Sequence, residues 1–84
     1  MGLPQTPVTL TPEQVAELND QLSRTRHDIN NQLSLIVAAV ELIRHKPDMA
    51  PRMIETISQQ PERIVAEMRK LSDAIEKSLG IGRD

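Results

Sequence analysis

The apolar residues of this chain recur at alternating steps of three and four. The run begins with Val15, Leu18, Leu22 and, after Thr25, continues through Ile29, Leu33, Ile36, Val40 and Ile43. A second run takes Ile54, Ile57, Ile64, Met68, Leu71 and Ile75. That spacing is the mark of a packed helical seam and is incompatible with the period of two that a strand requires. Pro47 lies between the two runs and stops the first, because its ring clashes with the preceding turn and it has no N–H to donate. The expected fold is therefore all-α, a helical hairpin of two long helices.

The local signals bound each helix. Thr11-Pro12-Glu13-Gln14 reads as a capping box with proline at the first helical position, where its missing N–H costs nothing. Helix 1 is expected over about 12–45, its end marked by the positive Arg44, His45 and Lys46. Asp48 is a natural cap for helix 2, with Pro51 in its first turn, and the helix is expected over about 49–79. Pro61 falls on the seam and predicts a kink. Gly80 is the expected C-cap, with Ile81 folding back on the last turn. Residues 1–10, carrying Pro4 and Pro7, read as a flexible leader, 11–80 as the domain and 81–84 as a tail.

Composition decides how such a hairpin is stabilised. The 84 residues include no Phe, Tyr, Trp or Cys, so the core is aliphatic and there is neither a disulfide nor a thiolate metal site. So small a core contributes only a few kcal/mol on its own. Two helices of about 30 residues are roughly 45 Å long, and a lone pair leaves much of its stripe wet. Leu35, Val37, Leu42, Val65 and Leu79 widen that stripe beyond a two-helix seam. A homodimer closing an antiparallel four-helix bundle is the expectation. The net charge of −2 carries no basic footprint for nucleic acid, and no apolar run reaches the roughly 20 residues of a membrane span. A cytoplasmic location fits the absence of cysteine.

The stretch His27-Asp28-Ile29-Asn30-Asn31-Gln32-Leu33 interrupts this regularity. Thr25, Ile29 and Leu33 are two consecutive steps of four, which locally unwinds a supercoil. At about 100° per residue His27 lies nearly opposite Ile29, on a row with Asp20, Arg24, Asn31, Ser34 and Ala38. Imidazole is nucleophilic in its neutral form, and the Asp28 carboxylate beside it can hold one ring N–H and act as general acid/base. Asn31, one turn on, is placed to hydrogen-bond a phosphoryl oxygen or a water. Ser34 and Ala38 leave room for a partner, and Arg24 can steer an acidic one. Two adjacent asparagines at a helix centre cost stability that Ala, Glu or Lys would not. His27 and His45 stand about 27 Å apart along one helix, so no metal bridges them.

These seven residues resemble the H-box of the dimerisation and histidine-phosphotransfer domain of two-component sensor histidine kinases. The usual pattern there is His, an acidic residue, an aliphatic, Asn or Arg, Asn or Thr, often Pro, then Leu. The resemblance implies that His27 is the phospho-acceptor, Asp28 the acid/base, and Asn31 a residue that positions the phosphoryl group or water. It implies a homodimer whose partners are a response-regulator receiver domain, a histidine kinase catalytic domain, or both. Gln32 departs from the usual Pro. No nucleotide cradle follows helix 2, so ATP and Mg²⁺ would belong to partner domains and this chain needs no cofactor of its own. The chain resembles either a fragment of such a kinase or a stand-alone histidine phosphotransferase of the sporulation-relay kind, which has a similar bundle. Two other readings stand beside this one: a regulatory bundle that binds a receiver or kinase without being phosphorylated, and a plain helical dimerisation scaffold in which His27 is an ordinary surface residue.

Overall fold

A computed structural model describes residues 6–80. Helix α1 spans Pro12–His45, a 3₁₀ turn Pro47–Met49 follows, and helix α2 spans Ala50–Leu79. Ile81 and the tail, and residues 1–5 of the leader, lie outside the described residues. The start of α1 is the expected capping box. The Gln14 N–H donates to Thr11 Oγ1 at 3.1 Å, and the Thr11 N–H donates to Gln14 Oε1 at 2.8 Å. At the far end Gly80 adopts φ 69°, and its N–H donates to the carbonyls of Glu76 and Lys77. A left-handed residue there satisfies carbonyls that the helix leaves free.

The reversal differs from expectation in one respect. Asp48 does not cap α2. It sits inside the 3₁₀ turn, and Met49 is the residue before the helix, without a side-chain cap. Pro47 starts the tight turn, and the Met49 N–H is satisfied by the Lys46 carbonyl at 2.9 Å, so the backbone closes the corner without a carboxylate. Helix α2 then runs through Pro61 without interruption.

The two helices pack antiparallel into a slab of 58 × 28 × 12 Å. Its thickness is one helix diameter, so the chain forms a single layer. Leu18 and Gln21 face Ala74 and Lys77 across one cleft. Following that antiparallel register along the hairpin sets Asp28 level with Glu67, and Gln32 level with the turn from Gln60 to Ile64.

Which residues meet across the slab is the main departure from the sequence reading. The positions of α1 turned toward α2 are Leu18, Gln21, Thr25, Gln32, Ile36, Ala39 and Ile43. Those of α2 are Met53, Ile57, Gln60, Ile64, Glu67, Leu71 and Ala74. The hairpin seam is therefore partly polar. Thr25 is 3% exposed and Gln60 1%, whereas Ala39 alone is a fully buried apolar residue among those described. Leu33, expected in the seam, is 47% exposed, and Gln32 takes the inward position instead.

Most of the exposed apolar residues share one side of each helix, although Leu35, 46% exposed, lies on the other side of α1. Val15, Leu22, Leu33, Val37 and Val40 remain exposed along one side of α1, as do Ile54, Val65 and Met68 along α2. At about 100° per residue, both sets are rotated in the same sense away from the hairpin contact. The helices run in opposite directions, so that common rotation turns both sets to one face of the slab.

Candidate functional site

His27 projects from the middle of α1, on the side of the helix away from α2. Its side chain is 74% exposed. The geometry follows from the helix: with Thr25 and Gln32 turned toward α2, residue 27 must point outward. Asp28 lies on the shoulder between that ridge and the hairpin contact, and is half-buried. Its Oδ1 stands 3.5 Å from Nδ1 of His27, within ion-pair range but longer than a hydrogen bond. A carboxylate on the Nδ1 side favours the tautomer that keeps the proton there, leaving Nε2 as the free nucleophile.

The remaining residues of the row are placed as the periodicity predicts. Asp20, Arg24, Asn31, Ser34 and Ala38 are all exposed on the same side as His27. Asn31 follows His27 by one turn. Helical side chains lean toward the N-terminus, so the Asn31 carboxamide covers the His27 turn. Arg24 precedes His27 by one turn and is ion-paired with Asp20 on the turn before. A guanidinium committed to a neighbouring carboxylate is less available to steer a partner than one standing alone.

Ser34 and Ala38 form the floor of an open groove of about 410 Å³, completed by Asn30, Leu33 and Val37. The sequence reading placed Ser34 and Ala38 on it and missed the other three. Val37, 62% exposed, was available as a signal, because it stands between the apolar side of α1 and the polar ridge. Asn30 was noticed only as an unfavourable helix residue. In the structure it forms the edge of this groove nearest His27.

Among the described residues no three His, Asp or Glu side chains come together as a metal site. His45 lies at the end of α1, with Nε2 3.6 Å from Glu41 Oε2, and Arg44 reaches the other oxygen of the same carboxylate at 3.2 Å. That cluster complements the helix dipole and explains His45 without chemistry. No helix among the described residues is long and apolar enough to cross a membrane.

The fold and ridge together define a class of object: an all-α hairpin carrying an exposed histidine–carboxylate pair at mid-helix. Compared with known protein families, curated proteins and solved structures, the chain matches none.

Proposed function

We propose that this chain is a homodimeric histidine-phosphotransfer module of two-component signalling, with the phosphoryl group carried on His27. The observation that carries the chemistry is the disposition of the imidazole: Nδ1 stands 3.5 Å from the Asp28 carboxylate, and the His27 side chain is 74% exposed on an outward ridge. Only an outward nucleophile can meet an aspartyl phosphate held in another protein's active site. In the transfer the bond from phosphorus to the donor carboxylate oxygen breaks and a bond to Nε2 forms. The Nδ1 proton, beside Asp28, is the one whose movement neutralises the ring. Asn31 supplies a neutral donor to the phosphoryl oxygens. The Ser34 and Ala38 side of the groove, away from the apolar face that holds Leu33, is where a receiver surface would rest.

Dimerisation is supported by geometry and by area. The apolar stripe of α1 is centred roughly 50° from the direction of α2, at about 100° per residue. In a square bundle of four helices the core lies about 45° from the line to either neighbour, so the stripe points where a bundle axis would run. The single copy exposes 6609 Å² at a mass of 9.4 kDa. A compact protein of that mass exposes roughly 5,000 Å² by the usual surface scaling. Covering the excess on both copies is on the order of the 2,000–5,000 Å² buried in obligate homodimers.

The deciding experiment mixes the purified chain with phosphorylated receiver domains and follows labelled phosphate, with His27→Ala as control. Acid-labile label on the wild-type chain, absent from the variant, is the expected result. A wild-type chain that never becomes labelled refutes the relay. Faster release of inorganic phosphate from the receiver would then favour the non-phosphorylated regulator.

A further inference from the structure

The row that carries His27 also carries an ion pair whose position is chemically suggestive. Arg24 is three residues before His27 and Asp20 four before Arg24, all on one exposed ridge. Residues three and four apart on a helix stand about 5–6 Å apart at Cβ, so Arg24 has a neighbour on either side. One is the Asp20 carboxylate, which it engages. The other is the His27 imidazole. Long and aromatic helical side chains lean toward the N-terminus, which carries the His27 ring over the turn of Ser23 and Arg24. A phosphoryl group on Nε2 would therefore come down beside the guanidinium, on the opposite flank from the Asn31 carboxamide.

We propose that Arg24 is a positioning residue that exchanges partners, leaving Asp20 to hold the phosphoryl group when His27 is phosphorylated. The inference rests on the phosphotransfer reading above. The charges set the direction of the exchange: Asp20 offers one negative charge, a phosphoryl group about 1.5 to 2 with three strong acceptor oxygens. Guanidinium matches such oxygens two at a time, as it matches a carboxylate. Both ends of the existing pair are largely exposed, so releasing Asp20 to water costs little. Asp20 thus acts as a parking site. It holds the guanidinium while the imidazole is unmodified and yields it to a dianion.

The test uses the whole chain and potassium phosphoramidate, a small phosphoryl donor that needs no partner protein. The P–N bond of the donor breaks, the bond from phosphorus to Nε2 forms, and ammonia leaves. The Nδ1 proton passes to solvent by way of Asp28. Uptake is read site by site by mass spectrometry, with His45, 77% exposed, as internal reference. Asp20→Asn frees Arg24 and is expected to raise the His27-to-His45 ratio roughly two- to fivefold, the scale of an exposed ion pair. Arg24→Gln is expected to lower it by a similar factor, and Arg24→Lys to restore part of the loss. In the Arg24→Gln background, Asp20→Asn should do nothing.

That last arm separates partner exchange from a plain field effect. Equal acceleration by Asp20→Asn in both backgrounds overturns the proposal, because removing a negative charge would then act on the donor directly. An unchanged ratio in Arg24→Gln overturns it too. Circular dichroism of each variant checks that the helix is intact, and a merely structural pair would leave the ratio alone. If His45 takes label while wild-type His27 takes none, the phosphotransfer reading falls and this inference with it. If His27 is labelled but the cycle is additive, only the inference falls.

Discussion

Replacing Gln60 by leucine should stabilise the chain, although Gln60 is its most deeply buried side chain. At 1% exposure it lies in the hairpin seam, with Nε2 donating to the Thr56 carbonyl at 2.9 Å. Its Oε1 is buried without a partner. A buried acceptor left unpaired costs about 1–3 kcal/mol relative to water. The bond that leucine loses is worth about 1 kcal/mol, and the Thr56 carbonyl keeps its place in the helical ladder. Leucine is close in volume and gains about 1 kcal/mol or more by burying its branched end. The net expectation is a gain of about 1–2 kcal/mol, or a rise of roughly 4–16 °C in melting temperature for a domain this small. Thermal and urea unfolding at one fixed protein concentration measure it, since oligomerisation makes the midpoint concentration-dependent. A loss of more than about 1 kcal/mol would refute the reasoning. It would mean that Oε1 has a partner in solution, from a bound water or a second copy, and that removing the amide orphans that partner.

Three further outcomes are expected. Thr11→Ala removes the Oγ1 that accepts from the Gln14 N–H, while the backbone N–H of residue 11 keeps its bond to Gln14 Oε1, and should cost about 1 kcal/mol, read as a lower urea midpoint with unchanged slope. Gly80→Ala should cost about 1 kcal/mol through the left-handed backbone alone, since an added methyl meets nothing within 4 Å; calorimetry of the two chains compares them. Leu33→Lys, on the unpartnered apolar face, should shift sedimentation of the proposed homodimer toward monomer. Each site forfeits about 1.5–3 kcal/mol of burial, and symmetry counts it twice. A dimer as tight as wild type would place the interface on the other face.

The elements themselves could be read from the chain because each is fixed locally. Thr11, Pro12 and Gln14 cap α1 by contacts within one turn, and Gly80 ends α2 by its own backbone freedom. Asp48 could not be read correctly for a reason of the same kind: two prolines, Pro47 and Pro51, bracket a corner that the backbone closes by itself. The seam was less legible. Hydrophobic periodicity reports the mean direction in which a helix buries apolar surface, and for a helix with two neighbours that direction points between them. Val15, Leu22, Leu33 and Val40 define the mean direction in α1, while Gln21, Thr25 and Gln32 lie on the line to α2. A sequence pattern averages over every contact a helix makes and cannot assign its polar members to one of them.

The outward ridge escapes this ambiguity, and that is why His27 was legible where the seam was not. Whether the hairpin contact runs through Gln32 or through Leu33, a rotation of 100°, position 27 stays on the outer side, because it lies more than a right angle from either. Asp28 has no such margin. One residue further on, it sits on the shoulder, and its half-buried carboxylate belongs both to the imidazole and to the edge of the polar seam. The pair therefore lies between the ridge and the layer of Thr25, Gln32 and Gln60, whose Oγ1, Oε1 and Oε1 are buried without a hydrogen-bond partner. Unpaired buried oxygens of this kind cost stability. In this chain that cost falls within about two turns of His27, so stabilising the seam with leucines and altering the orientation of Asp28 toward His27 are expected to go together.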